Sequence, residues 1–92
     1  MVTCLVLMTI DRDSINDVAS QLIEIEGVSE VFSVAGQYDL VALVRVASND
    51  AVADVVTVRM RRVEGILTSE TLIAFKAYSQ HDLESMFSVG LE

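Results

Sequence analysis

The 92 residues carry six Lys+Arg against fourteen Asp+Glu, a formal net charge of −8, and 52% of them are hydrophobic. A chain this short buries roughly 60–65% of the surface its unfolded form exposes, so its core is thin and the surplus apolar surface points to a subunit interface. The acidic balance and the lack of a basic stripe argue against autonomous DNA or RNA binding, and the single cysteine, Cys4, excludes an internal disulfide framework and fits a reducing compartment.

The first apolar run, Val2 to Ile10, has no basic flank before it and ends in Asp11-Arg12-Asp13 without a small-residue cleavage site. It has about half the length of a membrane-spanning helix, so the expectation is a cytoplasmic protein. Proline is absent and no Gly/Ser stretch interrupts the chain, which reads as one domain.

In chain order, residues 2–10 (VTCLVLMTI) are β-branched and aliphatic and too short for a helix. They predict a strand apolar on both faces, with Val6 and Met8 on one and Leu5 and Leu7 on the other. Ser14, followed three residues later by Asp17, predicts a helix start with an approximate capping box. Ile15, Val18, Ala19, Leu22 and Ile23 then form one apolar helical stripe, and Gly27 stops it. Residues 28–35 turn β-like again. The turn Gly36-Gln37-Tyr38-Asp39 leads into a second apolar strand, 40–46, so the two read as a hairpin. Ser48-Asn49-Asp50 caps a second helix whose apolar set is Val52, Val55, Val56, Met60 and Val63. Its β-branched content lowers its propensity, so packing must help hold it. Gly65 ends that helix and 66–77 reads as a fourth strand. In the remaining tail, Ser79 is placed to cap a short helix carrying Leu83, Met86 and Phe87.

The order βαββαβ suggests internal duplication. Displacing the chain by 38 residues aligns Leu5 with Leu43, Val6 with Val44, Val18 with Val56, and Glu26-Gly27 with Glu64-Gly65. Two halves of one layout fit an α+β, ferredoxin-like fold, a four-stranded antiparallel sheet with two helices on one face. The other face is then apolar along the first and third strands, Arg45 being the main exception. Such a face predicts a sheet-to-sheet dimer of the dimeric α+β barrel type.

The catalytic inventory is poor. His81 and Cys4 are the lone residues of their kinds, and nothing places them together as a nucleophilic pair. Soft-metal ligands are too few, and Asp11/Asp13 and Asp50/Asp54 sit at helix starts, where carboxylates favour the dipole. No metal or cofactor is expected. Arg59, Arg61 and Arg62 read as a solvated face at a helix C-terminus. The hairpin turn stands out, because an aromatic residue in an exposed turn seeks shelter. Tyr38 and Asp39 beside loop amides suit a zwitterion, the amides binding its carboxylate and Asp39 its ammonium. An interface turn accounts for the same residues equally well.

The pattern Glu26-Gly27-Val28, Val31, Gly36-Gln37-Tyr38-Asp39-Leu40-Val41, then Glu64-Gly65-Ile66 and Thr71 resembles the ligand-binding (RAM) domain of the Lrp/AsnC, or feast/famine, transcription regulators. The resemblance covers residues 2–77. It implies a domain at 1–77 with a tail at 78–92, sheet-paired dimers that assemble into rings of four or five dimers, and a small amino-acid effector bound between dimers. Carried over by position, the effector side is Gly36, Gln37, Tyr38 and Asp39, with Ser69 and Thr71 from the fourth strand. Gln37 stands where the family often has an acid, which weakens any preference for a cationic effector. The helix-turn-helix of full-length members is not among the predicted elements, so the expectation is a stand-alone effector domain that co-assembles with itself or with a full-length regulator. Two alternatives stay open: an interaction subunit without ligand, and a small cofactor-free oxygenase or isomerase of the same architecture, supported by fold analogy alone.

Overall fold

The computed structural model describes residues 1–80. Strand β1 (Val2–Ile10) is followed by helix α1 (Ile15–Ile23), β2 (Val28–Ser33), β3 (Leu40–Val46), helix α2 (Asn49–Asp54) and β4 (Ile66–Ala74). The strands form one antiparallel sheet in the order β2-β3-β1-β4, the ferredoxin-like α+β arrangement. The fourth strand stops at Ala74, short of the expected 77, and the second at Ser33. The expected tail helix around Leu83, Met86 and Phe87, and His81 with it, lies outside the described residues. Among the described residues no helix is long and apolar enough to cross a membrane.

The alternation in β1 sorts its residues. Cys4, Val6, Met8 and Ile10 are buried beneath the helices beside Leu40, Ala42 and Val44 of β3, and Val18, Leu22, Val52, Val55 and Met60 close the core from above. Each fully buried aliphatic contributes about 1.5–3 kcal/mol over leaving it in water. Ile23, the last residue of the predicted stripe, is exposed instead, at the C-terminal end of α1.

The helix starts differ from one another. Ser48 is extended and its Oγ accepts the Ala51 N–H at 3.2 Å, a true N-cap. Ser14 makes no side-chain cap, so the expected Ser14/Asp17 capping box is not formed. Its φ of −112° and ψ of 4° turn the residue toward Gly65, and a Cβ on Gly65 would stand 3.0 Å from that of Ser14. The predicted second helix is also not uniform. After Asp54 it opens into a π-helical stretch, Val55–Arg59, and closes in a 3₁₀ turn, Met60–Arg62. Four consecutive β-branched residues, Val55-Val56-Thr57-Val58, crowd the ladder, and the Thr57 hydroxyl bonds back to the Ala53 carbonyl, which loosens an α-helix.

Gly27 and Gly65, the two ends of the predicted duplication, hold matching conformations with φ of +101° and +105°. Each lies against the helix of the other half: a Cβ on Gly27 would meet Val46 and Val55, and one on Gly65 would meet Val18 at 2.9 Å. The two Glu-Gly turns therefore lock the halves to each other.

Among the described residues nothing lies within 4 Å of the Cβ position at Gly36, whose φ is +129°. Gly36→Ala is expected to cost the backbone term alone, about 1–2 kcal/mol. Gly65→Ala adds overpacking of about 1–3 kcal/mol. Urea unfolding of the two variants should rank them in that order, and equal midpoints would mean that the Gly65 contact is not tight.

Candidate functional site

The hairpin turn is built by what its last residue does. The Asp39 carbonyl accepts the Val34 N–H at 3.0 Å, closing the loop. The Asp39 N–H donates to the Met8 carbonyl at 2.8 Å, and its Oδ2 accepts the Ile10 N–H at 2.8 Å. One residue thus satisfies both backbone groups where β1 runs past the start of β3. Leaving the part-buried Ile10 amide unpaired would cost about 1–3 kcal/mol. Asp39 is a structural clamp as well as a negative group, a role its place in a turn does not announce.

Tyr38, half-buried, reaches over the sheet, and its hydroxyl donates to Glu70 Oε2 at 2.5 Å. This bond to an acceptor favours the neutral phenol and raises the Tyr38 pKa above its ordinary value of 10.0, with desolvation adding to the shift. Gly36 and Gln37 are exposed. Among the described residues the amides of Gly36, Gln37 and Tyr38 donate to no backbone carbonyl. The turn therefore presents free amides beside a hydroxyl and two carboxylates.

Glu70 is the residue that reading the sequence missed. It stands in register with Leu7, whereas Ser69 pairs with Met8 and Thr71 with Val6. Alternation sends Ser69 and Thr71 to the helix side of β4 and Glu70 to the open side. The structure brings Tyr38 to Glu70 and does not bring Ser69 or Thr71 to it. An acid alternating with Thr68 and Leu72 was the available signal, but the β1–β4 register that places it was not.

The open side is apolar at its centre. Phe32, Val41 and Leu7 form one cross-strand row that ends in Glu70, and Leu43, Leu5 and Leu72 form the next, which begins at Glu30 on β2. Leu5, Phe32 and Leu72 are 36%, 45% and 46% exposed. Arg45 and Thr3 bound this patch at one end, Thr9 and Thr68 at the other.

Of the other candidates, Cys4 is buried and desolvation raises its thiol pKa, which keeps it an unreactive thiol. Asp54 accepts from Arg59 Nε at 3.0 Å on the surface. Among the described residues no cluster of three or more His, Cys, Asp or Glu forms a metal site.

The sequence model of the Lrp/AsnC ligand binding domain matches residues 3–83. The chain belongs to the Lrp/AsnC ligand-binding domain family. An uncharacterised HTH-type transcriptional regulator of Pyrococcus furiosus is 36% identical over 76 residues, covering 79% of this chain and 51% of the regulator. The domain thus spans about half the length of the curated relatives it matches. The crystal structure of TTHA0845 from Thermus thermophilus superposes with a TM-score of 0.82 at 40% identity, covering 87% of this chain and 100% of that one. The feast or famine regulatory protein of M. tuberculosis, complexed with L-methionine, superposes with a TM-score of 0.72 at 32% identity, over 87% of this chain and 54% of that one.

The Tyr38–Glu70 bond carries a checkable signature. Because the folded pKa is raised, the bond is fully present below pH 10 and is lost as pH climbs through the raised value. In a titration followed by tyrosinate absorbance, one of the two tyrosines should ionise late, and Glu70→Gln should return it toward its ordinary value. Superimposable titrations of the two proteins would show that the bond does not persist in solution.

Proposed function

We propose that this domain is a non-catalytic sensor that binds a small amino acid at contacts between copies of itself and thereby shifts its own assembly, or that of a full-length regulator with which it co-assembles. The observation that carries the reading is the turn 36–39: free amides suit a carboxylate, while Asp39 and Glu70 on either side of Tyr38 suit an ammonium. The methionine bound to the M. tuberculosis relative supports an amino-acid effector of this class. Ser69 and Thr71, on the other side of β4, belong to this site only if a neighbouring copy completes it. Coupling to assembly requires that the effector bind one assembly better than another.

Screening the twenty amino acids by thermal shift tests the sensor. A ligand at one hundred times its Kd adds about 2.7 kcal/mol of stability. We expect a raised midpoint with one or a few related amino acids. Asp39→Asn keeps an acceptor for the Ile10 amide and removes the charge, so the ligand-free midpoint should hold while the ligand shift falls away. A flat screen on well-folded protein would overturn the effector reading in favour of a subunit that acts through contacts alone.

The same reading takes the open sheet face as the seat of a second copy. An apolar band of this kind is costly to leave in water, and packing two sheets face to face would bury it. Leu5→Glu, at a position already exposed in the single chain, should halve the mass seen by light scattering with little loss of helicity. An unchanged mass would place the interface elsewhere.

A further inference from the structure

The geometry points to a second binding site, for a small aliphatic monocarboxylate, in the groove between the end of the second helical segment and β4. The groove, about 370 Å³, lies over Val6 and Met8, with Met60 on its helix wall, Leu67 on the strand lip, and Arg61 and Ser69 at its edges. That volume suits a small ligand.

Its origin is structural. The π-helical stretch Val55–Arg59 shifts the phase of the chain so that Met60 is buried while Arg61 stays exposed beside it. Such stretches often mark functional sites. On the opposite wall, β4 is exposed or half-buried at every position, so its helix-side hydroxyl at Ser69 faces an open space.

The choice of ligand follows from charge. In a chain of net charge −8, the described residues line this groove with a cation and with no carboxylate. Among the described residues Arg61 makes no ion pair, while its neighbour Arg59 is held by Asp54. A guanidinium and a hydroxyl that line the same groove can bind a carboxylate, and the aliphatic floor takes a short branched tail. With no acid to receive an ammonium, the groove favours a simple or 2-oxo acid over the amino acid of the same carbon skeleton. The groove lies apart from residues 36–39, shares only Ser69 with the residues carried over for the effector, and does not rest on the reading of the turn.

Methionine-methyl NMR of the intact chain, labelled at the methyl carbon, tests this with 4-methyl-2-oxopentanoate as the probe. Saturable shifts of the Met60 and Met8 methyl signals are expected, with leucine binding more weakly. Arg61→Gln should weaken the oxo acid by about tenfold or more, the loss of a charge-assisted bond, and 4-methylpentanamide should bind as poorly to the unsubstituted chain. Methyl signals that do not move at millimolar probe would overturn the proposal. So would an amide that binds as well as the acid, or an Arg61→Gln protein that keeps the affinity. Since Arg61 is exposed, the spectrum of the variant itself reports that the fold is intact.

Discussion

Everything in this fold follows from a central strand that is apolar on both faces. β1 has Cys4, Val6, Met8 and Ile10 on one side and Leu5 and Leu7 on the other, and a single layer of helices can cover only one of them. The helices take the first face and build the core with it. The second face is left with two rows of aliphatic and aromatic side chains in register across the sheet, one ending in Glu70 and the other in Glu30. Among the described residues no third layer covers that face, so the same constraint that forms the core also creates the surface proposed for a partner copy.

In the hairpin turn the residue proposed to meet an ammonium is also the one that ties the turn to the sheet. Asp39 satisfies a carbonyl and an amide of β1, and this tie holds the turn against the sheet. Tyr38 is held by Glu70 from the far edge of the sheet, so a loop that joins β2 and β3 is braced by β1 and β4. Bracing from two strands outside the hairpin keeps its free amides in one arrangement, and such preorganisation lowers the entropic cost of binding. It also sets the order in which substitutions must be read: a change that removes the Asp39 acceptor unsettles the end of β1 before it reports on any ligand.

At the other wall, the crowded β-branched run after Asp54 has consequences beyond its own helix. The loosened turn lets Met60 reach the core and sets Arg61 at the rim of the groove beside β4. β4 itself is a nine-residue edge strand with Leu67, Leu72 and Ile73 exposed, followed by Phe75 in full contact with solvent and by Tyr78, whose ring lies 5.1 Å from the Lys76 ammonium. Long apolar edges of this kind are stable in isolation only when something pairs with them or covers them.

The element order, the two helix stripes, the Glu-Gly turns and the doubly apolar central strand were all legible in the amino-acid sequence, because each depends on local periodicity or on a glycine that its neighbours frame. So was the hairpin carrying Tyr38 and Asp39, and with it the family. What the sequence did not disclose depends on register and on long-range contact. The pairing of Glu70 with Leu7 decides that Glu70, and not Ser69 or Thr71, meets Tyr38; the approach of β1 gives the Asp39 carboxylate an amide to hold; and the fit of Ser14 against Gly65 replaces a helix cap with a packing contact. Local spacing specifies which face a side chain occupies, but only the assembled sheet decides what stands opposite it, because a shift of one residue in strand pairing exchanges the two faces.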